Sequence, residues 1–271
     1  MTSDVLAQVH SLPAVWQSEP CETVSAIPHP RLQPYVLAYS GFRSGSGAEI
    51  RHRVLPFNLA TLIIDFAGAC RVVTGPRSTS TIHGQTSWSH GVSIGLTPLG
   101  VSALLGVPMR ELAERSDPLA DLLGPRDAEL AERLDAARNW PARFAVLDDR
   151  LAAWFTAYPV RDELVNQAWW RLQRRQGRTR IGSLAGELGV SRRYLELGFR
   201  RQIGMSPGTV ARVARIQHSL HLLITGSSLL RTAVDSGYAD QPHFNRETLA
   251  MTGMTPTKLC ALLQYRPLDA E

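Results

Sequence analysis

The chain has 271 residues, long enough for two domains of ordinary size, and with 44% hydrophobic and 20% charged residues its composition belongs to a globular protein and excludes a disordered one. No run reaches the roughly 18 apolar residues of a membrane span, since Asp65 breaks the best stretch at 59–70. Residues 1–16 have no basic cluster ahead of an apolar core, so a cytoplasmic protein without a membrane partner is expected. The net charge of +5 is unevenly spread, −2 over residues 1–160 and +7 over 161–271, and 15 of the 16 C-terminal cations are arginine, which forks onto phosphate or guanine.

In chain order, residues 49–55, 61–66, 71–74 and 91–96 alternate or cluster in strand fashion between glycine and proline breaks. From Val101 the apolar spacing turns helical, and helices are expected near 109–116, 126–138, 141–157 and 160–176. Residues 1–160 thus read as an α+β domain, a small sheet or barrel followed by helices. Arg51, His52, Trp88 and His90 lie on or beside its strands and are candidates for lining a small-molecule site, with ordinary strand faces as the plainer explanation. His52, His83 and His90 lack the clustered spacing of a cupin-like metal site, and Cys21, Cys70 and Cys260 read as free thiols. No metal or cofactor is expected. Without a paired serine and histidine, a Walker loop or a dinucleotide fingerprint, an enzyme is not expected either.

The last ninety residues contain a repeat at an offset of 48 to 49. Leu184-Ala185-Gly186-Glu187-Leu188-Gly189, followed by Leu195, Phe199 and Gly204-Met205-Ser206-Pro207, lies over Thr232-Ala233-Val234-Asp235-Ser236-Gly237, followed by Phe244 and Gly253-Met254-Thr255-Pro256. Each copy reads as helix, glycine turn, helix. Ala185 and Ala233 let the second helix cross closely, Gly189 and Gly237 take the turn, and Ser191 and Asp240 cap the second helix. Gly204 and Gly253 stop it, and Ser206-Pro207 and Thr255-Pro256 open a third. The helix opened by Pro207 runs to about Thr225, a rod of roughly 27 Å at about 1.5 Å per residue. Such a rod suits two reading helices near one turn of duplex apart, about 34 Å. Residues 161–271 therefore read as an all-α domain of two helix-turn-helix modules joined by a linker helix.

These units, the linker from Arg212 to Leu223 and the stretch Gly237-Tyr238-Ala239-Asp240-Gln241-Pro242-His243-Phe244-Asn245-Arg246 resemble the DNA-binding domain of the AraC/XylS family of transcription regulators over about residues 165–265. The resemblance implies sequence-specific binding to the major groove of double-stranded DNA. In the first module Arg192, Arg193, Glu196, Leu197 and Arg200 should face outward, and Arg193, Glu196 and Leu197 hold positions from which family members reach base edges. Glu196 also fits a solvated or arginine-paired helix face. In the second module the outward set is Gln241, His243, Asn245 and Arg246. There Thr248-Leu249-Ala250 stands where the family usually has an aromatic and two basic residues, so the first module should carry more of the affinity. Arg171, Arg174, Arg175, Arg178 and Arg180 either touch phosphates or solvate a helix end. The stretch 94–124 resembles N-terminal regions of a subset of the family whose role is taken to be effector sensing. A small-molecule effector is therefore an expected partner, with RNA polymerase and a second copy of the chain as further candidates. The rivals are a regulator governed by abundance or a protein partner and an enzyme fused to a DNA-targeting module.

Overall fold

Strands that are apolar on both faces need cover on both sides, and the N-terminal region supplies it with a second sheet and a set of helices. The computed structural model describes residues 8–14, 21–45, 50–66, 70–82, 87–155 and 163–264. Among them, the strands are β1 (Ser11–Pro13), β2 (Cys21–Ala26), β3 (Val36–Ser44), β4 (Ile50–Val54), β5 (Ala60–Asp65), β6 (Arg71–Thr74), β7 (Ser87–Trp88), β8 (His90–Leu96) and β9 (Ser116–Pro118). The larger sheet runs β2-β3-β8-β5-β6-β9, antiparallel throughout, and the smaller runs β1-β4-β7. At the centre of the larger sheet every residue of β5 is buried. Asp65, which interrupts the apolar run, accepts hydrogen bonds from the Ser89 and His90 amides at its end, at 2.7 and 3.4 Å.

The helices of this region are α1 (Pro98–Leu105), α2 (Leu119–Leu123), α3 (Pro125–Ala136) and α4 (Trp140–Trp154). Helix α4 covers the outer face of the larger sheet. There Tyr39 donates to Asp148 Oδ1 at 3.0 Å, and a Cβ at Gly41 would lie 2.5 Å from the Trp140 ring. Strand β3 is not apparent from the sequence because Ala38, Ser40, Gly41 and Ser44 dilute its β-branched and aromatic signal, although that glycine is what lets Trp140 approach.

Residues 109–116 correct the expectation of a helix. They form a 3-10 turn at Met109–Leu112, which buries Met109 and Leu112, and lead into β9, which pairs with β6 at the sheet edge. Two apolar anchors three residues apart are satisfied by one tight turn, and the open edge of β6 then recruits residues 116–118 as a strand. The expected helices at 126–138 and 141–157 are α3 and α4 with shifted ends. Glu49, His83 and the boundary at residue 160 lie outside the described residues.

The C-terminal helices are α5 (Glu163–Arg174), α6 (Ile181–Glu187), α7 (Arg192–Gln202), α8 (Pro207–Ile224), α9 (Leu229–Asp235), α10 (Gln241–Thr252) and α11 (Pro256–Gln264). Their apolar side chains fall into two clusters. Leu184, Leu195, Phe199, Ile203 and Val210 join Leu104, Met109 and Leu112 of the N-terminal region. Val213, Ile216, Leu220 and Leu223 of α8 pack with Ala233, Phe244, Met251 and Met254, and with Leu12 and Leu55 from the other half of the chain.

Polar ties run along the same seam. Gln217, buried on α8, donates Nε2 to the Pro56 and Val9 carbonyls at 2.6 and 3.0 Å and accepts the Val9 amide at 2.7 Å. Asn58 Nδ2 donates to the Val210 carbonyl at 3.0 Å. Replacing Gln217 by Ala strands these backbone groups, and we expect unfolding free energy to fall by about 2–4 kcal/mol. Denaturant titration checks this, and a loss below about 0.5 kcal/mol would contradict it.

His10 lies between the sheets, its ring edge-on to Phe57 and its Nε2 2.8 Å from Thr74 Oγ1. Burial, then Arg77 and His52, push its pKa down to about 3. The folded state thus binds fewer protons than the unfolded one below pH 6.5. The stabilisation is present above that pH and is lost as pH falls toward 3, by up to about 1.4 kcal/mol per pH unit. Between pH 6.5 and 5 the His10→Asn variant should show a shallower loss of stability than the wild type; parallel slopes would refute the assignment.

Candidate nucleic-acid interface

The two repeats share one backbone skeleton. In the first, Gly189 at φ 67° lets Val190 N–H reach the Ala185 carbonyl at 3.0 Å; in the second, Gly237 at φ 76° lets Tyr238 N–H reach the Ala233 carbonyl at 3.0 Å. This closure satisfies carbonyls that the ending helix leaves open, and it needs a left-handed residue. Ala185 and Ala233 are both buried, as close crossing of the next helix requires.

The second helices start on the expected caps. Ser191 Oγ accepts Tyr194 N–H at 3.1 Å, and Asp240 Oδ1 accepts His243 N–H at 2.6 Å. Ser206 Oγ accepts Thr209 N–H at 3.0 Å and opens α8 with Pro207. Helix α7 buries Leu195, Gly198 and Phe199. Its opposite face exposes Arg192, Arg193, Leu197, Arg200 and Arg201, while Glu196 is half-buried with Oε1 4.0 Å from Arg192 Nε. Tyr194 is a large exposed ring on this helix that does not stand out in the sequence. Its only signal there is its place at the third helical position, one turn from Gly198 and outside the Leu195/Phe199 stripe.

Helix α10 buries Phe244, Thr248, Met251 and Thr252 and exposes Asn245, Arg246, Leu249 and Ala250. Gln241 and His243 are half-buried. His243 Nε2 lies 3.3 Å from Glu247 Oε2, the other oxygen of which accepts from Arg212 Nε of α8 at 3.1 Å, and the imidazole stands edge-on to Tyr238. Glu247 is not singled out by the sequence because its partners lie on another helix and on its own at separations of 35 and 4 residues.

The upstream arginines divide. Arg175 Nη1 pairs with Glu187 at 2.8 Å and ties α5 to α6, and Arg174 lies over the Trp170 ring. Arg178 rests against the Gly237 turn of the second module. Arg180 is exposed at the start of α6, and Arg171 is half-buried.

In the N-terminal region the four small-molecule candidates do not converge. His52 and Trp88 are buried and stack with ring centroids 4.2 Å apart. Arg51, one residue along β4, is exposed on the other face. His90 meets Phe66 and Trp140 on the side covered by α4, and burial lowers its pKa.

Two family profiles match: one described as a helix-turn-helix domain, over residues 184–261, and one described as a domain of unknown function, over residues 25–117. The F1 operon positive regulatory protein of Yersinia pestis is 36% identical over 69 residues, 25% of this chain and 23% of that protein, so the chain spans about a quarter of that relative. Among solved structures, ToxT from Vibrio cholerae is similar at 14% identity with a TM-score of 0.45, covering 91% of this chain and 99% of that one. ToxT bound to (E)-4-(8-methylnaphthalen-1-yl)but-3-enoic acid is similar at 13% identity with a TM-score of 0.46, covering 91% and 100%. Residues 184–261 thus carry a helix-turn-helix domain, in which two glycine-turn units are joined by α8.

Proposed function

We propose that the chain is a sequence-specific transcription regulator that reads duplex DNA with α7 and α10 in successive major grooves. The observation that carries this reading is the geometry of these two N-capped helices. Each buries one face against a cluster that shares α8 and turns a face of arginine or amide side chains to solvent. On this reading Arg192, Arg193, Glu196, Leu197 and Arg200 contact DNA from the first module, and Gln241, His243, Asn245 and Arg246 from the second. Arginine forks onto guanine, glutamate accepts from cytosine, and amide side chains suit adenine. Exposed arginines at 192, 193 and 200 against one at 246 give the first module the larger share of the affinity.

Residues 161–271 are assigned the reading of DNA and residues 1–160 the sensing of a small molecule, among the side chains between the two sheets that include His52 and Trp88. Such a regulator acts in the cytoplasm, where RNA polymerase and a second copy of the chain are its protein partners.

For the DNA reading, Arg193→Ala should lower affinity for the duplex that the chain enriches from a random pool by about 1–3 kcal/mol and relax one base position, with binding to random duplex unchanged. An equal loss on both would place Arg193 on a phosphate instead. For the sensing reading, a metabolite that binds the folded full chain must raise its melting temperature. A broad library with no hit would leave a regulator governed by its abundance.

A further inference from the structure

The last carbonyls of a helix have no partner within it, and both reading helices end against the N-terminal region. At the end of α10, Ser80 donates its hydroxyl to the Thr252 carbonyl at 2.7 Å and its N–H to the Met251 carbonyl at 2.8 Å. At the end of α7, Arg110 Nη1 donates to the Arg201 carbonyl at 3.1 Å. Gly204 comes next at φ 86°, where a Cβ would lie 2.7 Å from Ala113 Cβ and 3.1 Å from Arg110 Cα. Gly253, its counterpart in the repeat, would bring a Cβ 3.4 Å from Arg53 Nη1 and 3.8 Å from Ser80 Oγ. Equivalent points of the two modules are thus docked on one neighbour.

The two docking segments hold each other. Ser78 donates both its N–H and its hydroxyl to Glu114 Oε1, at 2.8 and 2.9 Å. Glu114 N–H donates to the Pro76 carbonyl at 2.9 Å, and Gly75 N–H and Arg77 Nη2 both reach the Arg115 carbonyl, at 3.0 and 3.2 Å. Glu114 sits at φ 59°, a left-handed conformation that a residue with a β-carbon keeps only where its surroundings over-determine it. Segments 75–80 and 110–115 therefore form one unit, joined by bonds to the Pro76 and Arg115 carbonyls and, from side chain to side chain, through the Glu114 carboxylate.

We propose that this unit is a brace that sets the separation and orientation of α7 and α10, and that Glu114 is a positioning residue for two-site DNA reading, an inference that rests on the function proposed above. The brace grips the C-terminal ends of the helices and leaves Arg193, Leu197, Asn245 and Arg246 exposed. It governs spacing without covering the reading faces. Inserting one base pair between two half-sites moves the second along the duplex and rotates it by about 34°. A braced pair of helices tolerates one spacing, and an unbraced pair tolerates several.

The test uses the full chain and the duplex that the wild type enriches from a random pool, with one base pair then inserted between the two protected segments. The wild type should lose about tenfold in affinity on insertion. Glu114→Ala should lose less than about threefold relative to its own binding of the parent duplex, and Glu114→Gln, which keeps the acceptor oxygen, should behave as wild type. A full spacing penalty in Glu114→Ala, or none in the wild type, overturns the brace. A second readout needs no DNA. Spin labels at Leu197→Cys and Leu249→Cys, with Cys21, Cys70 and Cys260 replaced by Ala, should give one narrow distance that broadens on adding Glu114→Ala. An unchanged distribution overturns the brace, whereas failure of the wild type to enrich any duplex overturns the DNA-reading proposal and leaves the label distance to decide this one.

Discussion

Helix α8 gives its first turn to one apolar cluster and most of its remaining length to another, and that division determines which faces the chain presents to solvent. Val210 and Ala211 pack with Leu195 and Phe199 of α7, while Val213 to Leu223 pack with Phe244 and Met251 of α10. Each reading helix has one apolar stripe, so burying that stripe beside α8 turns its remaining faces outward. The serine cap and Pro207 fix where α8 begins, and Gly226, at φ 84°, lies just past its end. Polar Gln217 sits buried within the second stretch, and its three hydrogen bonds bind the rod to backbone near residues 9 and 56. A buried amide tolerates few alternatives, since each unmade bond carries a desolvation cost, and this specifies how the two halves of the chain meet.

The repeat is a repeat of backbone, and its two copies differ in chemistry. The turn bonds that close on Ala185 and Ala233 are the same bond made twice. On α7 the outward face carries several arginines with Leu197 and Tyr194 among them; on α10 it carries Asn245 and Arg246, with His243 held by Glu247 and Tyr238. On the proposed reading of DNA, the first module would recognise by charge and forked hydrogen bonds, and the second by amides with fewer cations. Glu247 adds a connection of its own. It joins Arg212 of α8 to His243 of α10, so the rod and the second reading helix share a carboxylate.

Much of the C-terminal half is legible from spacing, because its signals are local: glycine at the turn, an oxygen-bearing cap, a proline at the first helical turn, and apolar residues three or four apart. These act through backbone groups within a few residues of themselves. The N-terminal half is less legible. The longest strand, Val36–Ser44, is written largely in small and polar residues, and residues 109–116 carry a helical pattern yet close as a turn and an edge strand. In both places a partner distant in sequence decides the outcome: the Trp140 ring over Gly41, and the free edge of β6 beside Ser116.

Local sequence is enough to specify two helix-turn-helix units, their caps and the rod between them, and most of the residues that face solvent on the reading helices, since helical periodicity and terminal hydrogen bonding are short-range. Tertiary packing alone settles that His52 stacks on Trp88 while Arg51 and His90 face elsewhere, that Glu247 bridges Arg212 and His243, and that Ser80 and Arg110 cap the ends of α10 and α7. Apart from the Glu247–His243 pair, four residues apart on one helix, those contacts join residues separated by dozens to more than a hundred and seventy positions, as between Ser80 and Thr252, or depend on which face of a strand is turned inward. They arise only once sheets, rod and modules have packed against one another, and no local pattern encodes them.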